Sequence, residues 1–349
     1  MQAFAWKGSR RLILRMFAVQ PVIIGLADFS FFANTATAAE ARMRVMQFDH
    51  YGPPDVFYSA DVERPQPGAG EVLIEIKAIG TNPADTYGRN GKYAQRGPAR
   101  FPRVVGLDAA GIVAAVGEGV TDLRRGDRIV ASTKTGSYAT YALALAKDCA
   151  ILPEGVAYDV AAALPCAGLT GVQLIEEALP RLQSGQTVLV TGATGSVGRF
   201  AVYAALAKGV RVVAAVRPAY MDEARALGAM KAISTDADPP PDLHVDHAVD
   251  TIGGKVAARL CQGLVPGGSI ITSVTAPSGE AGIDPAGLPV KPERWQYHHD
   301  GKRLGQLVND VKTGKVSMPI AQRLPLTDAA EAHRLIEKGG AGGKVILIP

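Results

Sequence analysis

The chain has 349 residues, 47% of them hydrophobic and 20% charged, with a formal net charge of +4. That suits a two-domain α/β enzyme and excludes disordered, fibrous and membrane-embedded classes. Most of the surplus charge lies in residues 1–39, where Lys7, Arg10, Arg11 and Arg15 stand against Asp28 alone. What remains is nearly neutral, which excludes a nucleic-acid footprint.

In chain order, residues 1–39 read as an export leader. Ser9-Arg-Arg-Leu-Ile-Leu-Arg15 precedes an apolar stretch, Met16 to Ala27, and small residues follow at Ala36-Thr-Ala38-Ala39. The paired arginines resemble a twin-arginine signal, a receptor-read address. The apolar stretch is too short for a stable membrane span. This expectation places the protein in the periplasm. The alternatives are a start at Met43 or Met46 and a cytoplasmic protein, or an uncleaved tail.

From residue 43 to about 160, short strands are expected at 43–48, 72–79, 110–116, 128–132 and 138–145. Gly, Pro and Asp punctuate them, the pattern of a small β-rich barrel-like domain. Residues 161–178 read as one helix. Strands at 187–191, 210–216, 246–250 and 269–274 then alternate with helices at 199–208, 219–227 and 256–263. This is the rhythm of a doubly wound parallel sheet. Helices at 300–313 and 329–338 and a closing strand at 344–348 complete the chain, the tail from 315 to 349 returning to the β-rich domain. The division is therefore 43–160 with 315–349 against 161–314.

The strongest chemical signal is Val188-Leu-Val-Thr-Gly-Ala-Thr-Gly-Ser-Val-Gly198. An apolar strand runs into a turn with glycine at 192, 195 and 198, and a helix follows. Such a turn lets backbone approach a pyrophosphate, and the helix start offers it free N–H groups. The turn residues Gly192, Ala193, Thr194, Gly195, Ser196, Val197 and Gly198 are the candidate cradle. The next strand ends in Arg217 rather than an acidic residue. A carboxylate there would hold the ribose 2′-hydroxyl of NADH, whereas a guanidinium pairs with a 2′-phosphate. The expected cofactor is NADPH. Ligands of such sheets bind at the carboxyl ends of the strands, so Thr251 and Ile252 should lie near the ribose and Ser273 and Val274 near the nicotinamide.

These residues, with Asn82-Pro-Ala-Asp-Thr-Tyr87, Val105-Gly-Leu-Asp-Ala-Ala-Gly-Ile-Val113, Arg125-Gly-Asp-Arg-Ile-Val130, Val249-Asp-Thr-Ile-Gly-Gly254, Pro266-Gly-Gly268 and Gly343-Lys-Val-Ile346, resemble the zinc-free quinone oxidoreductase branch of the medium-chain dehydrogenase/reductase superfamily. The resemblance covers nearly all of the chain after residue 43. It implies an α/β protein made of a GroES-like β-rich catalytic domain and a Rossmann doubly wound sheet, with the cofactor cleft between them and a homodimer joined at the Rossmann sheet edge. Where zinc-dependent members place metal ligands, this chain has Asn82, Leu107 and Cys166. That set is a poor zinc site, so no metal is expected. Cys149, Cys166 and Cys261 show no metal spacing or disulfide framework.

The expected reaction is hydride transfer from NADPH to a quinone, with an enone, alkenal or enoyl-thioester as the alternative acceptor. A non-catalytic dinucleotide-binding redox sensor is the reading from another class. Candidate catalytic residues are Asn82, whose amide could orient the nicotinamide or the acceptor oxygen, and Tyr87, whose hydroxyl could donate to that oxygen. Each also has a structural reading, as a turn residue and a pocket wall. Asp85 reads as a helix cap. Thr170 matches the family residue beside the cofactor, although its hydroxyl could bond back within its own helix. Tyr220 stands where the family often has a lysine near the 2′-phosphate.

Overall fold

The structure is a computed structural model and describes residues 41–94, 99–276 and 280–349. The leader expected over 1–39 lies outside these residues. No helix among them is long and apolar enough to cross a membrane.

Two sheets make the β-rich part. Strands β1 (Arg42–Phe48), β2 (Tyr58–Glu63) and β4 (Arg103–Val104) pair antiparallel. The larger, seven-stranded sheet is built around β3 (Glu71–Gly80). Along one edge β3 pairs with β5 (Asp108–Val116), which pairs with β6 (Arg128–Ser132) and through it with β8 (Cys149–Ile151). Along its other edge β3 meets β7 (Tyr141–Leu145) and then β16 (Lys344–Ile348), which pairs with β15 (Ile320–Pro325). The end of the chain thus completes a sheet begun near its start. Ile74, Ile79, Ile129 and Phe48 fill its core, closed by Leu326, Ala332 and Leu347. Phe48 is fully buried and meets Phe57 and Phe101 edge-on. Burying a side chain of that size contributes about 1.5–3 kcal/mol.

The second part is a six-stranded sheet of β9 (Thr187–Thr191), β10 (Arg211–Val216), β11 (Lys231–Ser234), β12 (Val245–Asp250), β13 (Leu264–Thr272) and β14 (Glu293–Arg294). Its order is β11-β10-β9-β12-β13-β14 and every pairing is parallel. Helices cover both faces of such a sheet, so its strands are apolar throughout; all five residues of β9 are buried. The order reverses between β9 and β12, and a crevice opens there at the carboxyl ends of the strands. The helices α4 (Gly198–Ala207), α5 (Met221–Ala226) and α6 (Gly254–Leu260) follow β9, β10 and β12. The fold class is the α/β one expected, a GroES-like part joined to a Rossmann sheet.

The longest expected helix is broken. The helix expected over 161–178 is two helices, α2 (Tyr158–Ala162) and α3 (Pro165–Glu176). Pro165 has no N–H to continue the first helix and instead starts the second, where the missing donor does no harm. The next N–H, that of Cys166, reaches out of the helix to the Asp108 carboxylate on β5, at 3.1 and 3.2 Å. Helix α3 packs on α4 because Gly171 has no side chain: a Cβ there would lie 2.4 Å from the Val197 carbonyl oxygen. The earlier helix α1 (Pro83–Asn90) and the later α7 (Gly301–Lys312) and α8 (Ala329–Lys338) complete the set.

Candidate active site and coenzyme cleft

A cleft of about 630 Å³ runs from the carboxyl ends of β9, β10 and β12 to the ends of β3 and β16. The glycine turn forms part of its wall. Gly192 has φ +65°, where a Cβ would strike Thr251 Oγ1 at 2.6 Å. At Gly198 a Cβ would lie 2.1 Å from the Gly192 carbonyl oxygen. Only a chain without side chains at these points can fold so tightly. Among the described residues, the backbone N–H groups of Ser196 and Val197 have no protein acceptor. That is a cradle with free donors at a helix start, and it fits a dinucleotide pyrophosphate.

Asp250 holds the neighbouring turn in shape. Its buried carboxylate accepts from Thr191 Oγ1 at 2.5 Å, Thr272 Oγ1 at 2.6 Å and the Ile252 and Gly253 N–H groups at 3.0 Å. One carboxylate therefore ties the ends of β9, β12 and β13 and sets Thr251 and Ile252 at the cleft wall. Ser273 and Val274 join this scaffold through their backbone: the Ser273 N–H donates to the Asp250 carbonyl and the Val274 N–H to Thr272 Oγ1.

Of the expected cofactor residues, Gly192, Thr194, Gly195, Ser196, Val197, Arg217, Thr251 and Ile252 line the cleft. Ala193, Gly198, Thr170, Ser273 and Val274 are not among its lining residues. Thr170 Oγ1 donates to the Cys166 carbonyl at 2.6 Å, the back-bond within its own helix. At the adenosine end, the exposed Arg217 guanidinium stacks over the Tyr220 ring, 5.0 Å from its centroid. The loop 339–343 faces it, and a Cβ on Gly340 would lie 2.8 Å from Arg217 Nη1. Arg217 has no carboxylate partner among the described residues, so its charge is available to an anion.

Asn82 and Tyr87, the residues of the catalytic expectations, sit in different surroundings. Asn82 lines the cleft, but its amide is committed within the protein. Oδ1 accepts from Lys344 Nζ at 2.6 Å, and Nδ2 donates to Asp108 Oδ2 at 2.9 Å and to the Gly80 carbonyl at 3.4 Å. Asn82 is a bridge between a cation and a carboxylate. Tyr87 packs edge-on against Tyr93 with Lys92 Nζ 3.9 Å from its ring centroid, and it is not among the residues that line the cleft. It follows Asp85 by two positions on α1, about 200° around the helix, so the two cannot share a face. Asp85 caps the helix, accepting the Asn82 N–H at 2.8 Å.

Lys344 is a site residue that its sequence motif does not single out. It is 5% exposed and lines the cleft. Its ammonium also donates to the Thr81 carbonyl at 2.7 Å, so two of its three donors are used. Burial raises the Asp108 carboxyl to about 6, against the pull of Lys344 and the Asn82 hydrogen bond. Burial, reinforced by the charge of Asp108, raises Asp85 to about 7. Burial first, then Asp108, pushes the Cys166 thiol far above its ordinary range, so it stays protonated. A second missed pair lies at the end of β6: Ser132 Oγ and the Tyr297 hydroxyl are 2.6 Å apart.

Behind α1, His333 is wholly buried. Its Nδ1 accepts from Arg89 Nε at 3.2 Å, and Nε2 lies 3.0 Å from the Tyr138 hydroxyl. Desolvation, then the Arg89 charge, depresses it to about 3, so the ring is neutral.

A parallel dinucleotide sheet, a β-rich sheet completed by the chain terminus and a coenzyme cleft between them define a nicotinamide-dependent oxidoreductase of the medium-chain class. Comparison with known proteins agrees. Residues 68–154 match the alcohol dehydrogenase GroES-like domain, and residues 227–347 match the zinc-binding dehydrogenase domain. Rat quinone oxidoreductase is 31% identical over 337 residues, spanning 88% of this chain and 98% of its own. The quinone oxidoreductase of Coxiella burnetii superposes with a TM-score of 0.78 at 26% identity, over 88% of this chain and 99% of that one. The Escherichia coli quinone oxidoreductase complexed with NADPH does so with 0.74 at 25% identity, over 88% and 100%. The chain belongs to the quinone oxidoreductase branch of the medium-chain dehydrogenase/reductase superfamily, and it is an NADPH-dependent oxidoreductase acting on a small molecule.

Proposed function

We propose that the acceptor is a quinone, reduced without zinc. The observation that carries this reading is the Lys344–Asn82–Asp108 bridge at the cleft wall. The oxygen of Asn82 that a metal would need is held by an ammonium, Leu107 has no donor atom, and Cys166 is a neutral thiol. This donor set does not fit zinc. Among the described residues no three His, Cys, Asp or Glu side chains are arranged to hold an ion. An acceptor that takes up electrons without a Lewis acid is therefore favoured over an alcohol or simple ketone, and the quinone oxidoreductases among the relatives point the same way.

NADPH, when bound, supplies a hydride. The glycine turn and the free N–H groups of Ser196 and Val197 would hold its phosphates, Thr251 and Ile252 would lie on its ribose side, and Arg217 would pair with its 2′-phosphate. Lys344 holds a fixed positive charge at the opposite end, where it stabilises negative charge developing on an acceptor oxygen. Asn82 keeps that ammonium from swinging onto the Asp108 carboxylate. The Ser132–Tyr297 hydroxyl pair lies on the same strand ends, since Asp108 registers with Gly80 on β3 and with Ser132 on β6. We take 43–160 with 315–349 as the catalytic domain and 161–314 as the coenzyme domain. The homodimer implied by the family and the periplasmic address of the leader belong to the same reading.

The test is NADPH oxidation with 1,2-naphthoquinone, a 2-alkenal and an enoyl-thioester, against a control without acceptor. Faster turnover with the quinone is expected. A preference for the alkenal or thioester would replace quinone with enone chemistry, and tight NADPH binding with no turnover on any acceptor would favour the redox sensor.

A further inference from the structure

The adenosine end of the cleft holds a buried cation that the glycine turn does not require. Arg199 follows Gly198 in the first turn of α4 and is 3% exposed. A helix start is the positive end of the dipole and disfavours a cation, so a buried arginine there needs compensation. Its Nη2 donates to the Thr194 carbonyl at 2.8 Å and to Glu223 Oε1 at 2.6 Å, and its Nη1 donates to the Ser317 carbonyl at 3.0 Å. Its Nε has no partner. Arg199 thus grips the glycine turn from below and reaches a side chain on the next helix.

That side chain lines the cleft. Glu223 lies three residues after Tyr220 and shares the cleft wall with it and with Arg217. Asp236 lines the same end. The charged groups at the adenosine subsite are therefore one guanidinium, Arg217, and two carboxylates. Left alone, that balance favours a ribose bearing only hydroxyls, because a carboxylate accepts from the diol and repels a phosphate. The ion pair to Arg199 changes the balance by drawing one carboxylate onto a buried cation.

We propose that Arg199 is a specificity-determining residue for the coenzyme: by holding the Glu223 carboxylate, it cancels the charge that would otherwise turn the subsite away from a 2′-phosphate. Arg217 then faces the phosphate with one competing carboxylate instead of two. The inference rests on NADPH being the coenzyme and not on the nature of the acceptor.

The test measures NADPH and NADH dissociation constants by calorimetry on the full chain, with no acceptor present. R199M releases Glu223 and is expected to weaken NADPH on the order of tenfold, as for a like charge placed near the phosphate at a partly screened site, while NADH changes little. E223Q frees the Arg199 charge and is expected to tighten NADPH severalfold without changing NADH. R199M/E223Q has neither charge and is expected to return NADPH to about the wild-type value. Three results would overturn the proposal: R199M weakening both coenzymes equally, E223Q leaving the NADPH-to-NADH ratio unchanged, or the double variant failing to recover NADPH. E223Q changes a half-exposed side chain and keeps its shape and a hydrogen-bond acceptor for Arg199, so it decides the matter even if R199M does not fold. Because no acceptor enters the measurement, a failed quinone assay leaves this test standing.

Discussion

Replacing Lys344 with Met removes one charge from the buried bridge and keeps a long, flexible side chain in its place. The ammonium is nearly inaccessible and bonds the Thr81 carbonyl and Asn82 Oδ1. Its loss removes a cation that offsets the charges of both Asp108 and Asp85. Burial already holds these carboxyls at about 6 and about 7, and Lys344 lowers both. A carboxyl whose folded-state value is raised contributes stability at low pH and loses it as pH climbs through that value. Removing the lysine raises both values further, so the penalty must grow with pH. Breaking a buried charge cluster from one side costs about 3–5 kcal/mol. Each further unit of upward shift adds about 1.4 kcal/mol between the acidic and basic limits. Urea denaturation of K344M at pH 5 and pH 8 should show the larger loss at pH 8, with kcat reduced in the folded variant. An equal loss at the two pH values would show that Lys344 acts by packing alone and would refute the electrostatic account.

R217A should raise the NADPH Michaelis constant by about 10- to 150-fold, the equivalent of losing about 1.5–3 kcal/mol of charge-assisted bonding, with NADH nearly unaffected; equal effects would move the phosphate elsewhere. G198A pushes a Cβ to 2.1 Å from the Gly192 carbonyl oxygen; a stability loss of about 1–3 kcal/mol and weakened NADPH binding are expected by calorimetry. For His333, whose folded value of about 3 lies below the unfolded one, stability is present above about pH 6.5 and lost as pH falls toward 3. Compared with H333Q, the wild type should lose about 2 kcal/mol more between pH 7 and pH 5 in urea titrations. Dialysis against a chelator should leave turnover intact; a loss restored by zinc would end the metal-free reading.

The parallel sheet was legible because its signals are local. An apolar strand, a glycine turn and a helix sit within a few residues at 188–208, and the alternation repeats. The break at Pro165 was legible in principle but lost among the apolar residues on both sides of it. β15, Ile320–Pro325, escaped because an edge strand with Gln322 and Arg323 exposed has no alternating apolar pattern. β11, Lys231–Ser234, is too short for a pattern to register. At the site, residues close in sequence were found and residues joined only by the fold were not. Asn82 and the glycine turn announce themselves by motif. Lys344 reaches Asn82 from the far end of the chain, and nothing in Gly343-Lys-Val-Ile346 says which partner it meets. For Tyr87 the motif gives a position on a helix but not the contacts it makes, which are Tyr93 and Lys92.

The contact between Asp108 and the Cys166 N–H fastens the β-rich sheet to helix α3. It lies beside the bridge that carries the proposed chemistry, so the joint and the reacting end of the cleft are one place. Acceptors of different bulk must then be accommodated by walls other than this one. Natural or engineered changes in acceptor range should accordingly gather in the loops around the fastening and spare the fastening itself.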